Sequence, residues 1–361
     1  MSYQEKKKNI RGKRSTQRHK PREILPAKEQ EKGKYFEMLI AKFPQPKIMV
    51  IGDYISDIYI YGKPFKLSRE APVVVIRHER DNIVPGGAGN AVNNLASLGC
   101  KVYAVGILGN DEAGNSLLSQ LKKKGVNVNG LLLSHIVNTI SKTRVMAGDD
   151  HTSKQQVIRI DKVNKEPIPA RLQEKIYEQF KGLVREVDAI VVSDYGYGVV
   201  SDRAIALIQN LAKQKIVVVD SRYQLGRFRG VTAVTPNEAE AEKAVRMKLF
   251  GDHEVERASH ILMDKLKLKA VLITRGNRGM TLLEKPTKIN HIPISGHDDI
   301  TDVTGAGDTV VTVFTLALAS GAGFYDSAFL ANCAAGVVVM KTGTAVLTRD
   351  ELVEAVKKHY A

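Results

Sequence analysis

From Lys47 onward, short runs of β-branched and other apolar residues alternate with longer stretches whose apolar positions recur every three or four residues. The short runs are KIMVIG, KVYAVGILG, AIVVSD, KIVVVDS, TAV and AVLIT, each ending in small or polar residues. They read as strands. The longer stretches, among them GNAVNNLASLG, NSLLSQLKKKG, RLQEKIYEQFKGLVREV, DRAIALIQNLAKQ and HEVERASHILMDKLK, read as helices. Strand and helix in alternation predict an α/β fold, a mostly parallel central sheet with helices on both faces. In such folds ligands gather beyond the carboxyl ends of the strands.

Two segments break the alternation. Residues 59–85 and 139–163 carry strand patterns with no helix between them. Together they predict a small antiparallel sheet that could act as a lid over the strand ends. The last sixty residues turn helical, and GKYFEMLIAKF (33–43) has the spacing of a short amphipathic helix leading into the folded part.

Charge changes the picture at one end only. Residues 1–47 hold 14 Lys/Arg and 5 Asp/Glu, a net of +9, whereas the remainder holds 40 and 34, a net of +6. A segment such as KKKNIRGKRSTQRHKPR has too few apolar residues to pack, so 1–45 is expected to be a disordered basic extension and 46–361 the folded domain. Such an extension attracts polyanions without sequence specificity, or is a solvated tail. No apolar run reaches the roughly 18 residues a membrane span needs. With two cysteines, Cys100 and Cys333, a disulfide framework is excluded and a cytoplasmic location fits.

The strongest chemical pattern is Asp302-Val303-Thr304-Gly305-Ala306-Gly307-Asp308-Thr309, which opens a long apolar helix. Glycines at a helix start leave backbone N–H groups facing an anion, with the helix dipole in their favour. A carboxylate beside that pocket can accept the proton of an attacking hydroxyl. There is no G-x-x-x-x-G-K-[ST], so a P-loop does not hold the phosphates. A second glycine run, Gly86-Gly87-Ala88-Gly89-Asn90, also leads into a helix, and the first strand ends in Gly52-Asp53 with Asp57 four residues on. Carboxylates and an amide near close-packed glycines suit a polyhydroxylated ligand; Asp53 could equally be a turn residue.

These motifs resemble those of the ribokinase-like (PfkB-type) carbohydrate kinases over roughly 46–358. GGAGNAVNNLASLG is similar to the family's amino-terminal signature and DVTGAGDTV to its carboxyl-terminal one; Thr235-Pro236-Asn237-Glu238-Ala239-Glu240 matches a third motif. Within the family, LSREAPVVVI, QQVIRID, VVSDYGYG, ITRGNRGMTLLE and FLANCAAGVVVMKTGT are similar to the bacterial kinases of D-glycero-β-D-manno-heptose 7-phosphate. In many bacteria that kinase is fused to an adenylyltransferase bearing an H-x-G-H motif, which is absent here. The resemblance thus implies a stand-alone kinase and a separate adenylyltransferase acting downstream.

The resemblance implies Asp308 as catalytic base, with the amides of Gly305, Ala306 and Gly307 as an anion hole. It implies ATP contacts at Asn237, Glu238, Ala239, Glu240, Thr274, Gly276, Gly279 and Asn332. Mg²⁺ would be organised by Asn237 and Glu240 through water, and K⁺ by Asp302, Thr304 and Gly343. Sugar contacts are implied at Asp53, Asp57, Gly86, Gly87 and Asn90, and a homodimer through the lid sheets. Lys66, Arg69, Arg77, Lys142, Arg144, Lys154 and Arg159 crowd the lid segments, and Arg159 is singled out for a substrate phosphate. Two positions depart from the heptose branch. Tyr197 stands where it usually has lysine, and Asp220-Ser221-Arg222-Tyr223 replaces its usual Asp-Pro-Lys-Gly. A kinase for another sugar or nucleoside, and an inactive polyanion-binding relative, stay open as alternatives.

Overall fold

The structure is a computed structural model, and it describes residues 27–149, 154–286, 288–295 and 301–360. The strands are β1 (Lys47–Gly52), β2 (Tyr54–Leu67), β3 (Val74–Gly87), β4 (Lys101–Gly109), β5 (Asn127–Ser134), β6 (Ile140–Ala147), β7 (Gln155–Lys162), β8 (Ala189–Asp194), β9 (Ile216–Ser221), β10 (Ala233–Val234), β11 (Ala270–Thr274), β12 (Met280–Glu284) and β13 (Lys288–Ile292). The helices are α1 (Ala27–Ala41), α2 (Ala88–Ser97), α3 (Glu112–Lys123), α4 (Ala170–Leu183), α5 (Asp202–Leu211), α6 (Glu238–Val245), α7 (Asp252–Leu266), α8 (Ala306–Ala319), α9 (Phe324–Val338) and α10 (Arg349–His359).

Nine strands form the main sheet in the order β13-β12-β11-β10-β9-β8-β1-β4-β5. Pairing is parallel from β5 through β11, and β12 and β13 add an antiparallel edge. Every strand expected from the apolar runs is present. Side chains alternate between the two faces of a strand, so each central strand feeds two cores. Ile48 and Val50 face one core with α2, α8 and α9, while Met49 and Ile51 face the other with α4, α5 and α7. This two-sided burial is why the runs are continuously apolar.

The reversal point lies at β1, whose neighbours β4 and β8 lead the chain to opposite sides of the sheet. The loops after β1, β8 and β9 and the start of α8 meet above it. The lid is a second sheet, β3-β2-β6-β7. Its two hairpins are antiparallel, and they join through parallel pairing of β2 with β6. Strand β2 begins at Tyr54, directly after Asp53, so the lid springs from the strand end that carries the site.

The boundary expected at residue 45 needs correction. Helix α1 and the turn after it belong to the fold: Phe36, Leu39, Ile40 and, in the turn, Phe43 are buried in the same core as Val50 and Phe329. The Phe36 ring lies 4.8 Å from that of Phe329 and 6.0 Å from that of Tyr360. The basic residues up to 26 lie outside the described residues. The helix expected over 33–43 is present; the boundary was set by the charge of the whole of 1–47, which says nothing of how the helix's apolar side chains pack.

Removing residues 1–44 is therefore expected to destabilise the protein rather than merely remove a tail. Phe43→Ala alone should cost about 3–5 kcal/mol of unfolding free energy, measured by urea denaturation. A midpoint unchanged by Phe43→Ala would contradict the packing described.

Candidate active site

A cavity of about 390 Å³ opens between the strand ends, the start of α8 and the lid. The lid contributes Asp57, Lys142, Arg144 and Arg159. The strand ends contribute Asp194, Tyr195, Asp220, Arg222, Asn237 and Thr274, and the α8 turn contributes Thr304, Gly305, Gly307 and Asp308.

Asp308 sits in the first turn of α8 and is 3% exposed. Its Oδ2 accepts a hydrogen bond from Asn90 Nδ2 at 3.0 Å, and its Oδ1 accepts one from the Tyr195 hydroxyl at 3.0 Å. Burial pushes the Asp308 carboxyl up to about 6, opposed by these two hydrogen bonds and by the Lys142 ammonium, while Asp57 pushes the same way as burial. A carboxylate of this kind is ionised at neutral pH yet basic enough to take a proton.

Gly305 caps α8 with a left-handed φ of 81°. A Cβ there would lie 2.5 Å from Asn90 Nδ2, so both the conformation and the contact with Asn90 require glycine. Gly307 also lines the cavity. Ala306 does not: its N–H donates to the Val303 carbonyl at 3.2 Å, which corrects the expected three-amide anion hole. The dipole at the start of a fourteen-residue helix favours an anion there.

The cavity has two electrostatic halves. On the lid side, Arg144 Nη1 lies 2.6 Å from Asp57 Oδ1 and both are buried. Burial pushes the Lys142 ammonium down from its usual value. Arg159 binds Asp161 through two hydrogen bonds of 2.7 and 2.6 Å. On the strand side, desolvation and the neighbouring Glu240, Asp308 and Asp194 carboxylates hold the Asp220 carboxyl well above its usual range, with Arg222 opposing them.

These features coincide with findings from known proteins. The profile of the pfkB family carbohydrate kinases matches residues 45–350. The chain belongs to that family. Curated relatives called "Bifunctional protein HldE" share 39% identity over 323 residues in Geobacter sulfurreducens and 36% over 309 residues in Helicobacter pylori. These matches cover 89% and 85% of this chain but 65% and 66% of the relatives, so the chain spans less than two thirds of their length. The fold is that of Escherichia coli phosphofructokinase-2 in complex with substrates and products, with TM-score 0.71, 19% identity, and 87% of this chain and 99% of that one covered. It is also that of Arabidopsis thaliana ribokinase with ribose and ATP, with TM-score 0.66, 18% identity, and 86% and 99% covered.

The structure of this kinase sorts the expected site residues. Asp57, Gly87, Arg159, Asn237, Glu240, Thr274, Thr304, Gly305, Gly307 and Asp308 converge on the cavity. Gly86 stands behind it; a Cβ there would come within 2.2 Å of Asp57 Oδ2. Asn90 is fully buried behind Asp308 and holds the carboxylate rather than facing the cavity. Asp53 is likewise turned away. Its carboxylate accepts the backbone N–H groups of Tyr195 at 2.8 Å, Tyr197 at 3.1 Å and Val199 at 3.4 Å, so it fastens the loop after β8.

Asn237 and Glu240 form a capping box at the start of α6, each side chain accepting the other's backbone N–H, at 2.9 and 3.0 Å. Glu238 pairs instead with Arg275 and Arg278, and Ala239 faces solvent. Gly276 and Gly279 shape the turn after β11 without reaching the cavity. Asn332 Nδ2 donates to the Pro293 carbonyl at 2.7 Å, and its neighbours Cys333 and Gly336 line a second cavity of about 940 Å³ beside α10. Asp302 joins two turns by accepting N–H groups from Thr304 and Gly343, each at 2.9 Å. Of the seven lid cations, Lys142, Arg144 and Arg159 reach the cavity; Lys154 pairs with Glu79, and Lys66 and Arg77 lie over Phe65.

Sequence reasoning assigned no role to Asp194, Tyr195, Asp220 or Arg222. All four lie at the ends of β8 and β9, in the motifs VVSDYGYG and VVVDSRY, where polar residues after a buried strand could have marked them.

If Asp53 holds the loop, Asp53→Ala should leave three amides without their acceptor. The expected cost is about 2–4 kcal/mol in denaturant unfolding. Full stability combined with a raised sugar KM would instead mark Asp53 as a ligand contact.

Proposed function

We propose that this kinase transfers the γ-phosphoryl group of ATP to the 1-hydroxyl of a sugar phosphate, D-glycero-β-D-manno-heptose 7-phosphate, giving the 1,7-bisphosphate. One observation carries the reading: Asp308, held by two hydrogen-bond donors at the start of α8, lies in one cavity with a cation cluster on the lid. The similarity to relatives named HldE and to the heptose-branch motifs favours this acceptor.

In the proposed step, Asp308 takes the hydroxyl proton as the oxygen forms its bond to the γ-phosphorus and the bond to the ADP oxygen breaks. The Gly305 and Gly307 backbone and the α8 dipole stabilise the charge on the moving group, an arrangement of positioned donors that typically supplies about 10²–10³ in rate. Arg222 supplies a cation from the opposite wall. Lys142, Arg144 and Arg159 take the acceptor's distal phosphate. Their side is the lid, so the acceptor lies between its own phosphate and the base.

The donor set fits magnesium held through water. Among the described residues no group of three His, Cys, Asp or Glu side chains is arranged to hold a metal ion directly, and Glu240, Asp220 and Asn237 face one wall. Magnesium bound with ATP would neutralise phosphate charge there. Asp302 with Thr304 and Gly343 brings a carboxylate and two turns together, a donor set that suits a potassium ion next to the anion site. The lid leaves Phe65, Leu67, Val157, Ile158 and Ile160 each more than half exposed, and we propose that a second copy covers them. An adenylyltransferase would act on the product.

Asp308→Asn keeps the shape and cannot take the proton, so turnover should fall about 10²–10⁴-fold with ATP affinity little changed. Near-normal turnover would sink the mechanism. In the unaltered kinase, turnover should fall as pH drops through about 6, where Asp308 protonates.

For the acceptor, kcat/KM for heptose 7-phosphate should exceed that for the unphosphorylated heptose by at least about tenfold. Arg159→Ala and Lys142→Ala should each narrow the gap. Equal or better activity on free ribose, fructose or a nucleoside would overturn the acceptor and leave the sugar-kinase assignment.

A further inference from the structure

The Asp308 carboxylate is held by one donor on each oxygen, and the two donors come from different parts of the fold. Asn90, on α2, reaches Oδ2. The orientation of its amide is fixed, because Asn90 Oδ1 accepts from Asn94 Nδ2 at 3.2 Å and leaves Nδ2 to face Asp308. The second donor, the Tyr195 hydroxyl on Oδ1, belongs to the loop after β8. Hydrogen bonds to a carboxylate fix its plane and favour its ionised form.

The placement of Tyr195 is itself over-determined. Its backbone N–H and those of Tyr197 and Val199 end on the buried Asp53 carboxylate, and Gly196 N–H donates to Asp194 Oδ1 at 3.0 Å. Five polar contacts therefore set where one phenol hydroxyl points, counting its own bond to Asp308. A loop whose only task was to close the sheet end would not need a tyrosine turned inward.

We propose that Tyr195 is a positioning residue for phosphoryl transfer: through its hydroxyl it aligns Asp308 and keeps the carboxylate ionised. This rests on the reading of Asp308 as the base. The groups that face Asp308 are Asp57 from β2, Lys142 from β6, Asp220 from β9, and the neutral donors Asn90 and Tyr195. The two carboxylates oppose ionisation and Lys142 favours it; Tyr195 adds to the second side without adding charge. Desolvation and the Asp308 and Asp220 carboxylates hold the Tyr195 phenol well above its usual value, so it stays a donor throughout the working range.

The experiment is Tyr195→Phe with full pH profiles. Losing a donor to the carboxylate raises the Asp308 pKa, so the acid limb of kcat should move to higher pH by about half a unit or more. At the plateau kcat should fall about tenfold, with KM for sugar and ATP within about twofold. In an Asp308→Asn background Tyr195→Phe should cost nothing further, because its effect runs through that carboxylate. An unmoved acid limb, or losses that multiply in the double variant, would overturn the inference. Should Tyr195→Phe not fold, 3,5-difluorotyrosine at position 195 keeps the shape and donates more strongly; the acid limb must then move to lower pH, and an unmoved limb again overturns the inference. Failure of the underlying reading looks different: Asp308→Asn alone would retain turnover.

Discussion

Keeping a carboxylate ionised inside the protein is the constraint on which this site depends. Asp308 is 3% exposed, and taking a carboxylate out of water disfavours its charged form. Three features offset that cost: the dipole of α8, the hydrogen bonds from Asn90 and Tyr195, and the field of Lys142. Each depends on a different element. Asn90 is placed by the glycine run that turns β3 into α2, Tyr195 by the loop after β8, and Lys142 by the lid strand β6. The site is complete only when main sheet, helix and lid are all in register, so a single titratable group couples the layers of the fold.

The same constraint explains the unequal treatment of the two acidic residues after β1. Asp53 and Asp57 lie four positions apart on a chain that passes from the main sheet into the lid. Asp53 is still at the sheet end and meets backbone amides from the β8 loop. Asp57, within β2, turns into the cavity against Arg144 and the Gly86 backbone. One carboxylate organises the loop whose tyrosine reaches Asp308, and the other faces the cavity.

The sheet strands, the helices flanking them, the lid hairpins and the glycine turn before Asp308 were legible in the sequence because each is encoded locally. Apolar runs fix buried strands, and a glycine that needs a left-handed φ, as at Gly305, has few substitutes. The cavity residues Asn237, Glu240 and Thr274 were legible through motifs. What stayed hidden depends on distant partners. Asp53 and Asn90 could not be separated from true cavity residues, because their partners lie 142 and 218 positions away. Helix α1 was legible from its spacing over 33–43, but its burial against α9 and α10 was not, because those partners lie about 300 positions away. The link from Tyr195 to Asp308 was hidden because a tyrosine after a strand is ordinary until its hydroxyl is seen on that carboxylate.

The departures from the heptose branch acquire a physical meaning in this arrangement. At position 197 the residue's structural duty is performed by its backbone N–H, which donates to Asp53 whatever the side chain. The lysine usual in relatives can therefore become Tyr197 without loosening the loop or moving Tyr195. At the second departure the charge is kept: Arg222, in place of the usual lysine, lines the cavity from the end of β9, where its backbone N–H donates to the Asp194 carbonyl at 2.9 Å. Its planar, permanently charged fork differs from an ammonium in geometry more than in sign. Substitution at these two positions thus leaves the hydrogen bonds that hold Asp308 intact, and at position 222 it changes the geometry of a cavity-wall cation while keeping its sign, which is where members of one fold can diverge in ligand without altering the centre they share.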